Sequence, residues 1–208
     1  MSRPPLRDRV EGEDVSVHVA PDGRTNRERM IAGDWYLGDP ADGEAGRRAR
    51  RLCGEYNRAF TDGDERAGAL LAELLGSVGE GVTVRAPLAI DYGDRLHIGA
   101  RTFINNNLTA LDVATITIGE DCQIGPGVQL LTPLHPLEPG PRRDKVEAAD
   151  PITLGDNVWL GGGVIICPGV TIGDDTVVAA GSVVTRDLPT GVLAMGSPAR
   201  VVRELPGT

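Results

Sequence analysis

The sequence predicts an all-β solenoid, a stack of short strands and tight turns, preceded by a short helical cap. Three observations predict it. After Ile152 and Thr153 the chain repeats every six residues as LGDNVW, LGGGVI, ICPGVT, IGDDTV, VAAGSV and VTRDLP. Each block opens with Leu, Ile or Val (154, 160, 166, 172, 178 and 184), and its fifth residue is small or aliphatic in most blocks. A period of six fits neither a helical stripe nor a long alternating strand. It fits short strands wound so that one residue per block points to a common axis. Gly, Asp and Asn fill the second to fourth positions, where the chain must turn. Aromatic residues make up only 3% of the chain, against 28 Gly and 15 Pro. Coils stacked at roughly 4.8 Å hold Val, Ile and Leu but few rings.

Taken in order, residues 1–25 are polar, without periodicity, and read as a flexible tail. Residues 26–76 read as the helical cap. Arg27 to Ala32 suits a short helix ended by Gly33. Asp39-Pro40 reads as an N-cap followed by Pro at the first helical position, with Ala45, Ala49, Leu52, Tyr56 and Phe60 at helical spacing. A further helix fits Asp64 to Leu75, and Gly76 stops it. Residues 77–205 read as the repeat domain. Val78, Val84 and Ile90 are spaced by six; Ile98 and Ile104 restart the register after a slip of two. Ile118, Ile124 and Leu130 carry it to Leu134. Residues 136–150, with three prolines and seven charges, break the pattern and are expected to protrude as a loop.

The totals bound the function classes. A net charge of −9 argues against a general nucleic-acid or membrane surface, while leaving room for a local basic site for a small anion. Three distant cysteines (Cys53, Cys122, Cys167) suit a reducing compartment rather than a disulfide framework. No stretch approaches the ~18–20 apolar residues of a membrane span, and no apolar secretion segment opens the chain, so a cytoplasmic protein is expected.

Few residues carry chemistry. His135 stands at the root of the 136–150 insertion, and two readings stand for it: a surface histidine at a loop edge, or a base. His97 falls in a coil strand and reads as a packed imidazole; His18 lies in the tail. Asn105, Asn106 and Asn107 suit a coil corner, yet Asn105 also offers the donor and acceptor that a hydroxyl or a thioester oxygen needs. Cys122 and Cys167 read as small coil residues rather than nucleophiles.

The sequence resembles the hexapeptide-repeat O-acetyltransferases, and within them the galactoside/maltose acetyltransferase group. The resemblance covers Arg27 to about Glu204. It rests on AGDWY (32–36), the YN pair (56–57), LLGSVGEGVTVRAP (74–87), IDYGDRLHIG (90–99), FINNN (103–107), LDVATITIG (111–119), the TPLHPL run (132–137), PITLGDNVWLGGGVIICPGVTIGDD (151–175) and GSPARVVRE (196–204). It implies a left-handed parallel β-helix, a homotrimer, and acetyl-CoA bound in grooves between subunits. The implied activity is transfer of acetyl to a sugar hydroxyl, with His135 as general base. On the acceptor side the resemblance points to Asp39, Asp91, Asn105 and Asp112; a corner role for Asp91 stands beside its sugar role.

For acetyl-CoA the matching positions are Gly162, Ala180, Thr185, Arg186, Arg200 and Arg203. Gly161, Gly162 and Gly163 leave an edge without side chains, and Ala179-Ala180-Gly181 sits one coil above. Arg200 and Arg203 read either as solvated arginines or as phosphate contacts. Trp159 projects outward and reads either as a wall of the acceptor or acetyl site or as a subunit contact. A γ-class carbonic anhydrase, which shares the fold, needs three converging imidazoles, and the three histidines here cannot supply them, so no metal is expected. The alternatives left are another acceptor (a xenobiotic, an oligosaccharide or serine) and a non-catalytic scaffold.

Overall fold

Six residues allow about two extended residues and a turn on each side of a coil. A computed structural model, which describes residues 22–38 and 43–206, shows three parallel sheets built this way. The first face stacks Ser77–Val78, Leu96–Ile98, Ile116–Ile118, Ile152–Leu154 and Thr171–Ile172. The second stacks Thr83–Val84, Phe103–Ile104, Gln123–Ile124, Trp159–Leu160, Val177–Val178 and Val192–Gly196, and ends in the antiparallel strand Ala199–Glu204. The third stacks Leu88–Ile90, Leu108–Leu111, Gln129–Leu131, Ile165–Ile166 and Val183–Val184.

Two residues per hexad point inward, not one. The first-position Leu160, Ile166 and Ile172 and the fifth-position Val158, Val164 and Val170 are all fully buried. The fifth position turns inward because the corner before the next strand leaves no other side for it. Thr102, Thr176 and Ser182 occupy that position too, and their hydroxyls donate to Gly119 O (2.8 Å), Pro189 O (2.6 Å) and Ala179 O (2.7 Å). Each buried hydroxyl therefore has its partner.

The cap covers the first coil. Helix α1 (Asn26–Ile31) starts on a reciprocal Thr25–Glu28 capping box and is followed by Gly33 at φ 70°. Helix α2 (Glu44–Asp62) begins after Gly43; the N-cap expected at Asp39-Pro40 lies outside the described residues, as do residues 1–21 of the tail with His18. Left-handed Gly63 ends α2, and α3 (Ala67–Leu74) follows. Ala49, Leu52, Cys53 and Tyr56 bury one face of α2 on the coil. Asn57 pairs with the free edge of the coil, its Nδ2 donating to Leu88 O (2.9 Å) and its Oδ1 accepting from Leu88 N (2.8 Å). Tyr56 donates to Val84 O beside it. These two side chains satisfy backbone groups that no further coil pairs.

The 136–150 insertion is more than a protruding loop. It contains α4 (Pro139–Arg143) and the strand Val146–Ala149, which pairs antiparallel with Pro133–Leu134 and with Tyr36–Leu37 of the cap. Trp35, Val146 and Ala148 are buried together against Leu134. Five of its charges crowd into 138–145, so the more apolar Val146–Ala149 after them is free to join a sheet. No helix among the described residues is long and apolar enough to cross a membrane.

Candidate active site

All three lengthenings of the six-residue rhythm fall at one corner, between the third and first faces. Ile90 to Ile98 and Ala110 to Ile118 are each two residues too long, and Leu130 to Leu154 contains the large insertion. A lengthened corner has backbone groups that the coil above cannot pair, so side chains pair them. Asp112 accepts from the N–H groups of Asp91 (3.2 Å), Tyr92 (2.8 Å) and Arg95 (3.3 Å). One coil on, Thr132 Oγ1 accepts from Ala114 N (2.9 Å) and donates to Leu111 O (2.6 Å). Each extended corner is thus tied down by a buried residue of the next.

Asp112 therefore does not stand where a sugar-contacting residue would. It is fully buried with its carboxylate committed to the corner backbone, and its neighbour Val113, packed with Met30 and Tyr36, lines the cleft instead. Burial pushes the Asp112 carboxyl above its ordinary range, while the backbone N–H bonds pull it back.

The stacked corners and the cap enclose an open cleft of about 1030 Å³. His135, Asp91, Tyr92, Tyr36, Glu147 and Val113 line it, with Arg27, Arg48 and Lys145 at its margins. The His135 imidazole is exposed and makes no hydrogen bond or ion pair among the described residues. Tyr36 donates to Glu147 Oε2 (3.0 Å), and Arg27 lies 5.8 Å over the Tyr92 ring and 3.5 Å from Asp94. Tyr36, Tyr92 and Glu147 were not singled out from sequence. Their signal was the AGDWY segment and the end of the insertion, which only the antiparallel pairing brings together.

A second corner, between the second and third faces, holds Asn105, Gly162 and Ala180. Asn105 Oδ1 accepts from Asn106 N (2.9 Å) and meets the Arg85 guanidinium at 3.5 Å, so its side chain also does corner work. The three glycines here differ. A Cβ on Gly161 would lie 2.4 Å from Ala180 N, and Gly163 has φ 68°, so coil stacking and the turn require both. Gly162 alone is spared; its nearest contact would be Pro126 O at 3.3 Å. Ala180 is exposed one coil on, as the repeat arithmetic expects. Trp159, 56% exposed, lies in an outward row on the second face with Val177, Leu193 and the exposed Arg203. Arg200 is exposed opposite Met195 on the same terminal hairpin. Thr185 and Arg186 follow the last strand of the third face.

Within one chain, then, His135 and Asp91 share a cleft. Asn105, Gly162 and Ala180 share a different corner, and Trp159, Arg200 and Arg203 share the second face. Asp39 lies outside the described residues. His97 Nδ1 lies 3.0 Å from Ser77 Oγ, beside Gly76, in the outward row of the first face. That is a packed imidazole. Burial raises the thiols of Cys53 and Cys122 above their usual range, which suits packing and not nucleophilic attack.

Two family profiles match this chain: the maltose acetyltransferase hexapeptide capping motif over residues 29–79, and the bacterial transferase hexapeptide (six repeats) over residues 151–186. The galactoside O-acetyltransferase of Escherichia coli (strain K12) is 41% identical over 180 residues, spanning 86% of this chain and 88% of that protein. Among solved structures, a maltose O-acetyltransferase from Clostridium difficile 630 superposes with a TM-score of 0.85 at 38% identity, covering 88% of this chain and 99% of that one. A hexapeptide-repeat-containing acetyltransferase of Vibrio cholerae O1 biovar eltor, solved as a complex with acetyl coenzyme A, gives a TM-score of 0.80 at 40% identity over 88% and 99% of the two chains.

Proposed function

The chain belongs to the hexapeptide-repeat acetyltransferases of the galactoside and maltose group, and on that premise we propose that it transfers acetyl from acetyl-CoA to a sugar hydroxyl, with His135 as general base. The observation that carries this is the unengaged imidazole of His135 at the rim of a cleft rich in groups that can bind hydroxyls. An alcohol is too weakly acidic to ionise at neutral pH, whereas imidazole titrates near ~6.5 and can take the proton during attack. The acceptor oxygen forms its bond to the thioester carbonyl carbon as His135 takes its proton. The C–S bond then breaks, and CoA leaves as a thiol by taking that proton back. The charge gathering on the thioester oxygen calls for N–H donors from backbone or from Asn105.

Asn105 and the Gly162–Ala180 edge lie on a different corner from His135, so in this reading the site is completed between neighbouring copies. The protein is a homotrimer of left-handed coils, and acetyl-CoA runs along the glycine edge with its phosphates on Arg200 and Arg203. Thr185, Arg186 and Trp159 flank it. Asp91 meets the acceptor, and the family resemblance adds Asp39 as a further acceptor contact. Asp112 contributes only through the corner backbone that it holds. Three free thiols suit a cytoplasmic setting.

The test is thiol release from acetyl-CoA across sugars, glycosides, amino acids and antibiotics, with His135→Ala as control. Release with a sugar that His135→Ala abolishes is expected. No release with any acceptor would leave a binding scaffold. Mixing unfolded His135→Ala and Asn105→Ala chains and refolding them together should restore some activity, because mixed trimers contain intact interfaces. A monomeric mass by light scattering together with full activity would contradict the shared site.

A further inference from the structure

Resting on that reading of the cleft, we infer that Arg142 is a positioning residue for His135: it clamps the backbone that follows the base and so sets where the imidazole stands. The His135 ring is exposed and makes no hydrogen bond or ion pair among the described residues, so its placement falls to its backbone. On the near side the sheet holds the chain, where Pro133 pairs with Ala149 and Leu134 with Ala148. Past Leu134 the chain leaves the sheet, and no backbone N–H among the described residues meets the carbonyls of Pro136 and Leu137. Arg142 meets both. Its Nη1 donates to Pro136 O at 2.9 Å and to Leu137 O at 2.8 Å, one N–H to each.

The local sequence builds this clamp. Pro136 is buried, its φ is fixed by its ring, and it confines His135 before it to extended backbone. Glu138 then caps α4, which opens with Pro139, and Arg142 N closes the first turn on Glu138 O at 3.3 Å. Side chains on a helix lean toward its N-terminus, so the fourth residue of α4 reaches back over the residues that lead into it. Arg143, next in the chain and equally charged, makes no hydrogen bond or ion pair among the described residues. The clamp is therefore a matter of position, not of charge alone. Bonds from a cation to a carbonyl are charge-assisted, and one nitrogen holding two consecutive carbonyls fixes the turn after His135. A general base must sit within hydrogen-bond reach of the proton that it takes, and a shift of about 1 Å can cost roughly 10²-fold in rate. Leu137 is 72% exposed, so water can serve its carbonyl, and loss of Arg142 would loosen the turn rather than unfold the protein.

The experiment compares Arg142→Ala, Arg142→Lys and Arg143→Ala in the full-length protein, and combines each Arg142 variant with His135→Ala. Turnover is measured with acetyl-CoA and maltose or methyl galactoside, and folding by melting temperature. The His135 imidazole is followed by NMR, its signal assigned from His135→Ala. Arg142→Ala should lower kcat about 10–100-fold and leave both KM values within about twofold. Arg142→Lys, which keeps the charge and has three donors, should recover part of the loss, and Arg143→Ala should be silent. In the His135→Ala background either Arg142 variant should cost nothing more, because base and clamp act as one unit. The His135 signal should shift or broaden in Arg142→Ala while that of His97 stays. If Arg142→Ala does not fold, Arg142→Lys carries the same comparison. An unchanged kcat, losses that multiply in the double variants, or a rise in the acetyl-CoA KM alone would overturn the clamp and leave the transferase reading intact. No turnover with either sugar in the wild type would instead fail the sugar-transferase reading. The imidazole signal alone would then decide: moved in Arg142→Ala it keeps the clamp, unmoved it overturns it.

Discussion

Two stretches of the same repeat differ in one respect. From Ile152 to Val184 the hexads run without interruption, and their corners are mostly Gly, Ala, Asp and Asn set by stacking. From Ile90 to Leu154 the third-to-first corner is lengthened twice and then opened by the 136–150 insertion. The regular stretch makes an edge of backbone; the interrupted one makes a cleft of side chains. Interruption is where a uniform coil gains chemistry, because the extra residues need not point inward and their backbone must be tied by buried partners such as Asp112 and Thr132.

The largest expected effect tests the interrupted side. His135→Ala should lower kcat by about 10²–10⁴, or roughly 3–5 kcal/mol of barrier, with little change in acetyl-CoA affinity. Initial-rate plots should intersect, as direct transfer in a ternary complex requires, and replacing all three cysteines should spare turnover. Parallel plots, or a His135→Ala enzyme with near-normal kcat on its best acceptor, would sink the mechanism.

The regular side should respond in acetyl-CoA binding instead. Arg200→Ala and Arg203→Ala should each raise the acetyl-CoA KM about tenfold or more, matching roughly 1.5–3 kcal/mol for a charge-assisted contact to phosphate. Acceptor KM should hardly move, and the effect should shrink with a CoA lacking its 3′-phosphate. Equal losses with both CoA forms would show that these arginines do not read that phosphate.

A smaller effect separates stacking from binding within three adjacent residues. Gly161→Ala drives a Cβ to 2.4 Å from Ala180 N, which is backbone and cannot swing away. Overpacking of this kind costs about 1–3 kcal/mol, so the melting temperature should fall. Gly162→Ala meets only Pro126, its O at 3.3 Å and its ring carbons at 3.5 Å, and should keep stability while changing the acetyl-CoA KM. If thermal unfolding shows both equally destabilised, the glycine edge is a folding device and not a groove.

Much of this was legible in the sequence. The period of six fixes the three faces, since Leu160, Ile166 and Ile172 must lie on successive sides of one coil. The helices were legible from Leu52, Tyr56 and the stopping glycines. His135 was legible as the residue at the edge of the only long interruption. The partnership of Tyr36 with Glu147 was not, because 111 residues separate them and only the strand pairing joins them. The burial of Asp112 was hidden for another reason: a corner slip of two is visible as spacing, but which residue of the next coil ties it down depends on side-chain direction. The second slip, between Ala110 and Ile118, held the clue that the two corners stack.

The smallest expected effect concerns that buried tie. In Asp112→Asn the Oδ1 position still accepts from Asp91 and Tyr92, but an NH2 replaces the oxygen that accepts from Arg95 N. A donor then faces a donor, which should cost about 1–3 kcal/mol of stability. The pH dependence of that cost is diagnostic. Burial raises the Asp112 carboxyl above 3.8, so between 3.8 and the raised value the folded chain holds more proton than the unfolded one. Stability must then fall as pH rises through that window, and stay level above it. The Asn variant has no such slope, so the gap between wild type and variant should be widest in acid and should narrow toward neutrality. Melting temperatures of both proteins from about pH 3.5 to about pH 7 measure it. A gap that widens with pH would mean that the three backbone N–H groups outweigh burial, and that the corner is built to hold a charge.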